Sequence, residues 1–173
     1  MSEAEVFVRL SFQATKKLDV VRSLPLARFV AALFCNYTRV AAFSSLLVDE
    51  GLLPLLITMM ESHTVDEVMA PSTEALANLS INRKNRREIA ASGIALRLPT
   101  LFDRGSPSVR AFSLLIMGNL LSSTSTFHDK VATDEIVANI LDNLLDIRHA
   151  KQFNAVAYCL YQLSLLEASC EVQ

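Results

Sequence analysis

At 173 residues the chain is long enough for one domain with a buried core and short for two, and a net charge of −2 argues against a wholly basic, nucleic-acid-binding surface. Hydrophobic residues make up 51% of it while glycine (4) and proline (5) are scarce, so the turn-formers of a many-stranded protein are missing and helices are favoured. The longest apolar runs, such as Leu52 to Met60, are broken by Pro54 or by polar residues well short of the roughly 20 residues of a membrane span.

Taken in chain order, Glu3 and Glu5 precede a weakly amphipathic stretch where a secretory signal would be basic and then continuously apolar. Ser23, ahead of Leu24-Pro25, marks a helix start with a hydroxyl able to cap free amides. That helix carries "AALFCNY" (31–37). Next comes "DEGLLPLLITMM" (49–60), where Gly51 can adopt the left-handed conformation of a sharp corner and Pro54 is tolerated near the start of the following helix. "TEALANLS" (73–80) closes the first unit, with Pro71 predicting a kink or a late start in its helix.

The same order returns in "ASGIALRLPTLF" (91–102) and "LLIMGNLL" (114–121), with Ser106 before Pro107 as the cap and Pro99 inside the second helix. It returns more loosely in "TDEIVANILDNLL" (133–145), where Asp134 or its neighbour replaces the corner glycine, and in "AYCLYQLS" (157–164). Superimposing these segments aligns Asn36, Asn78, Asn119 and Gln162 at spacings of 42, 41 and 43 residues. Large apolar residues sit two positions earlier (Phe34, Leu76, Met117, Leu160) and one later (Tyr37, Leu79, Leu120, Leu163), a buried stripe at helical spacing. With a glycine corner after a short first helix, a second helix directly following and a polar linker to a longer third, each unit reads as three helices, too small to cover its own apolar face and stable by stacking.

The stretch "NRKNRREIAASGIALRLPTLFDRGSPSVRAFSLLIMGNLL" (82–121) resembles a complete armadillo repeat, with helices over 82–92, 94–103 and 107–121 around the corner at Gly93. The resemblance covers 38–80, 82–121 and 123–164, with 1–37 as a partial N-terminal capping unit and 165–173 as a tail. It implies a single all-α domain over 1–173, an armadillo-type α-solenoid in which three-helix repeats wind into a right-handed superhelix. A HEAT-type array shares the period and stays open as an alternative.

Solenoids bind partners on an extended concave surface. By the resemblance, Asn36, Asn78, Asn119 and Gln162 would project from the third helices into that groove, each amide offering donors and an acceptor to the backbone of an extended peptide. One turn earlier lie Ala32, Glu74, Leu115 and Tyr158, so Glu74, Leu115 and Tyr158 join the candidate groove. The nuclear-import adaptors called importin-α place Trp there, and this chain has no Trp, which argues against recognition of import signals.

Charge is uneven: residues 83–110 hold seven Arg/Lys against two acids, and 129–173 hold seven acids against three bases. The run Arg83, Lys84, Arg86, Arg87 falls on a first helix, where it reads as a solvated face or, if functional, as a contact for an acidic protein. No aromatic residues are interleaved to stack bases.

Nothing assembles into a catalytic or metal site. His63, His128 and His149 fall in separate linkers and read as solvated, while Cys35 and Cys159 flank the apolar stripe and read as packing. Asp49-Glu50 and Asp66-Glu67 read as helix-end charges, and the glycines as corners or, at Gly118, close packing. Three widely spaced cysteines suit a reducing cytosol or nucleus. Cys170-Glu171-Val172-Gln173 fits the C-terminal prenylation pattern with a farnesyl-type last residue, provided Gln173 is the natural end.

The sequence thus leads to a non-catalytic scaffold or adaptor without cofactor or small-molecule substrate, binding a protein or extended peptide in the cytoplasm, for example in a cytoskeletal or ciliary assembly. The alternative is a transport or membrane-recruitment adaptor acting through the basic patch or a prenylated Cys170.

Overall fold

The computed structural model describes residues 2–98, 100–101, 105–123, 138 and 150–170. Among them the regular structure is all helix, in the order α1 (Glu3–Thr15), α2 (Leu24–Thr38), a short 3-10 turn (Ala41–Phe43) running into α3 (Ser44–Asp49), α4 (Leu52–Ser62), α5 (Asp66–Ile81), α6 (Arg83–Ala91), a 3-10 segment (Ile94–Arg97), α7 (Pro107–Leu121) and α8 (Ala150–Cys170). Contacts divide the chain into two compact units, 1–92 and 93–173.

The corners are where the glycines require them. Gly51 follows α3 with φ 95° and Gly93 follows α6 with φ 80°, both in the left-handed region that side-chain-bearing residues rarely adopt. Pro54 is the third residue of α4, where its missing amide costs no helical bond. Ser106 caps α7 by accepting from the Val109 amide (3.4 Å). The Ser23 hydroxyl makes no such bond, for Pro25 occupies the second helical position and removes one of the amides it would serve.

Pro71 neither delays nor ends its helix. The first turn of α5 is closed upstream, with the Val65 carbonyl accepting from both Val68 (3.0 Å) and Met69 (3.0 Å). Pro71 comes two residues further on, and the carbonyl it leaves unserved belongs to the exposed Glu67, open to water. The 82–121 segment keeps its expected first and third helices, whereas the second begins as the 3-10 segment. Pro99 and Asp134 lie outside the described residues.

In the first unit α5 packs on α2, α3, α4 and α6, and α1 on α3. Phe34, Leu76 and Leu79 of the predicted stripe are fully buried beside Phe12, Leu47, Leu52, Leu56 and Met59; each such side chain contributes about 1.5–3 kcal/mol. Edge-to-face ring pairs run from Phe12 to Phe34 (5.5 Å), on to Tyr37 (5.9 Å) and then Phe43 (6.4 Å), joining α1, α2 and the 3-10 turn. Glu50 anchors α1: its carboxylate pairs with Arg9 (3.1 Å) and accepts from Gln13 (2.7 Å), and its carbonyl accepts from Lys16 (2.9 Å).

In the second unit α7 packs on α8, with Leu114, Met117, Leu120, Ala155, Val156 and Cys159 buried. At Gly118 α8 comes close to α7: a Cβ there would lie 2.6 and 2.7 Å from ring carbons of Tyr158.

The fully buried hydroxyls of Ser72 and Ser113 have no hydrogen-bond partner. Both stand six residues before the repeating amide, at the register where Val30 and Val156 stand in α2 and α8. An unpaired buried hydroxyl is a net cost, and alanine is the better helix former. Ser72→Ala and Ser113→Ala are therefore expected to stabilise, by about 1 kcal/mol each, as a higher urea midpoint at unchanged slope. A lower midpoint for both would show that these hydroxyls are satisfied in solution.

Candidate partner-binding surface

Third helices α2 and α5 lie side by side, and their outward faces carry equivalent residues one repeat apart. On α2 this face is Arg28, Phe29, Ala32, Asn36 and Arg39, all exposed; on α5 it is Glu67, Pro71, Glu74, Asn78 and Ile81, with Ile81 65% exposed. Two cross-helix ion pairs join them, Arg28 to Glu67 (3.2 Å) and Arg39 to Glu74 (2.7 Å). Arg39 also donates through Nε to Glu74 (3.1 Å) and through a terminal nitrogen to the Asn36 carbonyl (3.4 Å).

The amides keep spare capacity. Asn78 donates to the Thr38 hydroxyl (3.3 Å), leaving its carbonyl oxygen without a partner, and Asn36 has both amide hydrogens unengaged. This strip therefore offers donors, an acceptor and paired charges.

The second unit treats the same register differently. Asn119 is 8% and Gln162 9% exposed, where an open groove would leave them accessible. Tyr158 explains Asn119: its hydroxyl donates to the Asn119 carbonyl (3.1 Å), so a residue expected to face a partner binds its own neighbour. The register links the two units, since Tyr158 and Glu74 are equivalent positions. Tyr158 reaches the preceding helix's amide directly, and Glu74 does so through Arg39. Leu115 is half-buried on α7.

The basic run divides in two. Arg83, Lys84 and Arg87 are exposed, whereas Asn85 and Arg86 are 3% and 8% exposed. Arg86, expected in the solvated patch, instead donates to the Ser80 (2.8 Å) and Ile81 (3.1 Å) carbonyls. Asn85 donates to the Leu79 carbonyl (3.2 Å) and the Ser44 hydroxyl (2.7 Å). Together they serve carbonyls at the end of α5, which the helix itself leaves unpaired, and the guanidinium complements the negative end of its dipole. A signal for this was present: Asn85 and Arg86 precede the buried Ile89 by four and three residues, on one helical face.

His63 is not a solvated linker residue. Half-buried at the end of α4, its Nε2 hydrogen-bonds the Val20 carbonyl (2.8 Å) and holds the α1–α2 connection. His128 and His149 lie outside the described residues. Burial pushes the Cys159 thiol up to about 12; burial, then the Glu74 charge, pushes Cys35 to about 11. Both are thus protonated near neutrality, unlike an activated nucleophile. Cys170 ends α8; its side chain and the three residues after it are outside the described set. Among the described residues no His, Cys, Asp or Glu cluster could hold a metal ion, and no single helix is long and apolar enough to cross a membrane.

No family model and no curated protein matches the sequence. Among solved structures, the chain is similar to a designed armadillo repeat protein determined in complex with the peptide (KR)4, at a TM-score of 0.69 over 89% of this chain and 16% sequence identity. The match spans 63% of the designed protein's length. At this identity the likeness is one of fold, and it agrees with the period, the glycine corners and the helix order described above.

Proposed function

We propose that this chain, whose fold is that of an armadillo-repeat α-solenoid, is a non-catalytic scaffold that holds a partner polypeptide in extended form against the α2–α5 face. The observation carrying the reading is that Asn36 and Asn78, one repeat apart on adjacent helices, keep free amide hydrogens and a free carbonyl beside the Arg39–Glu74 pair. An extended backbone presents the complementary alternation of donors and acceptors, which a side-chain amide can meet with both its ends. The designed neighbour was determined with a peptide of lysine and arginine. Here Glu67 and Glu74 already have arginine partners, so a basic peptide would have to displace them, and a neutral or mixed-charge segment fits better.

Burial keeps the Cys35 and Cys159 thiols protonated, which fits packing and not nucleophilic chemistry at these two residues. We place the scaffold in the cytosol, as a subunit of a larger assembly of the cytoskeletal or ciliary kind. The test is capture of a partner from native extract by the intact chain and by Asn36→Ala/Asn78→Ala. Recovery is expected to fall about tenfold or more, corresponding to about 1.4 kcal/mol of lost amide bonding. Undiminished capture would remove this face as the binding site.

A further inference from the structure

We propose that the corner between α5 and α6 docks an acidic polypeptide segment carrying an apolar residue. This rests on the scaffold reading and adds a second contact with its own chemistry. In the first unit the other exposed arginines each have a carboxylate: Arg9 with Glu50, Arg22 with Asp19, Arg28 with Glu67 and Arg39 with Glu74. Arg83, Lys84 and Arg87 are exposed and have no ion-pair partner. Glu88, one turn after Lys84 on the same helix, is exposed and pairs with none of them.

These three cations also sit in the first turns of α6, against the positive end of its dipole, so local helix energetics do not explain them. The backbone presenting them is fixed from beneath, where Asn85 and Arg86 bind the end of α5 and the Asn82 side chain accepts from the Lys84 amide (3.1 Å). Ile81, 65% exposed, ends α5 one residue before the cap. A rigid corner with three uncompensated cations beside an exposed aliphatic side chain is complementary to carboxylates flanking an apolar residue. Single-stranded nucleic acid is disfavoured because no aromatic residue lies in this segment to stack bases.

The test uses the whole chain and fluorescein-labelled peptides of alternating Asp and Glu around one leucine. Lysine-substituted peptides, oligouridylate and phosphatidylserine vesicles serve as comparisons. Saturable binding of the acidic peptide is expected, weakened about tenfold or more by Arg83→Glu/Arg87→Glu and a few-fold by Ile81→Ser, in variants with unchanged circular dichroism. Asn36→Ala/Asn78→Ala should weaken it by less than Arg83→Glu/Arg87→Glu, since those amides lie on α2 and α5 and not among the three α6 cations, and meet the corner only where Asn78 stands one turn before Ile81. Absence of saturation up to about 1 mM, a weak complex by any standard, or indifference to Arg83→Glu/Arg87→Glu would overturn the proposal. So would tighter binding of oligouridylate or vesicles that the same double variant abolishes. Should the acidic peptide fail while Asn36→Ala/Asn78→Ala still abolishes partner capture, this inference falls and the scaffold reading stands.

Discussion

Replacing Arg86 with alanine is expected to destabilise the chain by about 3 kcal/mol, whereas the same change at Arg83 or Arg87, three residues away and one away, should stay within about 0.5 kcal/mol. The contrast comes from environment alone. Arg86 is 8% exposed and its guanidinium serves the Ser80 and Ile81 carbonyls. Truncation leaves those carbonyls without the donors they have now and opens a gap under α6; Arg83 and Arg87 lose only solvated charge. Arg86→Lys should recover little, because one ammonium cannot reproduce the planar fork that spans two carbonyls. Urea unfolding of the variants measures this directly. Equal small losses at Arg83, Arg86 and Arg87 would mean that the run is a uniformly solvated face.

Gly118→Ala is the second change with a large expected effect, and its sign is diagnostic. In an ordinary helix interior alanine is more favourable than glycine by about 1 kcal/mol. Here the new methyl would meet the Tyr158 ring at 2.6–2.7 Å, with the Cys159 backbone behind it at 3.6 Å. The ring cannot withdraw without losing its hydrogen bond to Asn119. A net loss of about 2–3 kcal/mol is expected, and combining it with Tyr158→Ala should cost clearly less than the two single losses together. A stabilising Gly118→Ala would show that α7 and α8 are further apart than described.

Much of this fold was legible from the chain because its strongest signals are local or periodic. The glycine corners follow from the steric demand of a left-handed residue, and the buried stripe from spacing. The start of α7 follows from Ser106-Pro107, and its end at 121 from the resemblance to an armadillo repeat. What escaped depends on depth. A run of Arg, Lys and Asn looks uniformly polar until the helix above it is placed, and only then do Asn85 and Arg86 turn inward toward carbonyls that sequence does not display. The same holds for His63, whose partner Val20 is 43 residues away. The amide register was read at the right period, but period says nothing of exposure. A tyrosine at 158, where α5 has Glu74, hydrogen-bonds the Asn119 side chain, which is buried, while Asn36 stays exposed.

The central claim is that a partner polypeptide lies on the outward face of α2 and α5. The most direct measurement places a photo-crosslinking residue at Ala32, which is exposed on α2 one turn before Asn36, and for comparison at Ser62, exposed at the end of α4. The partner complex is irradiated and the crosslinked peptides are mapped. The account predicts crosslinks from position 32 that converge on one short stretch of the partner and essentially none from position 62. Crosslinks from 62 with none from 32 would contradict it.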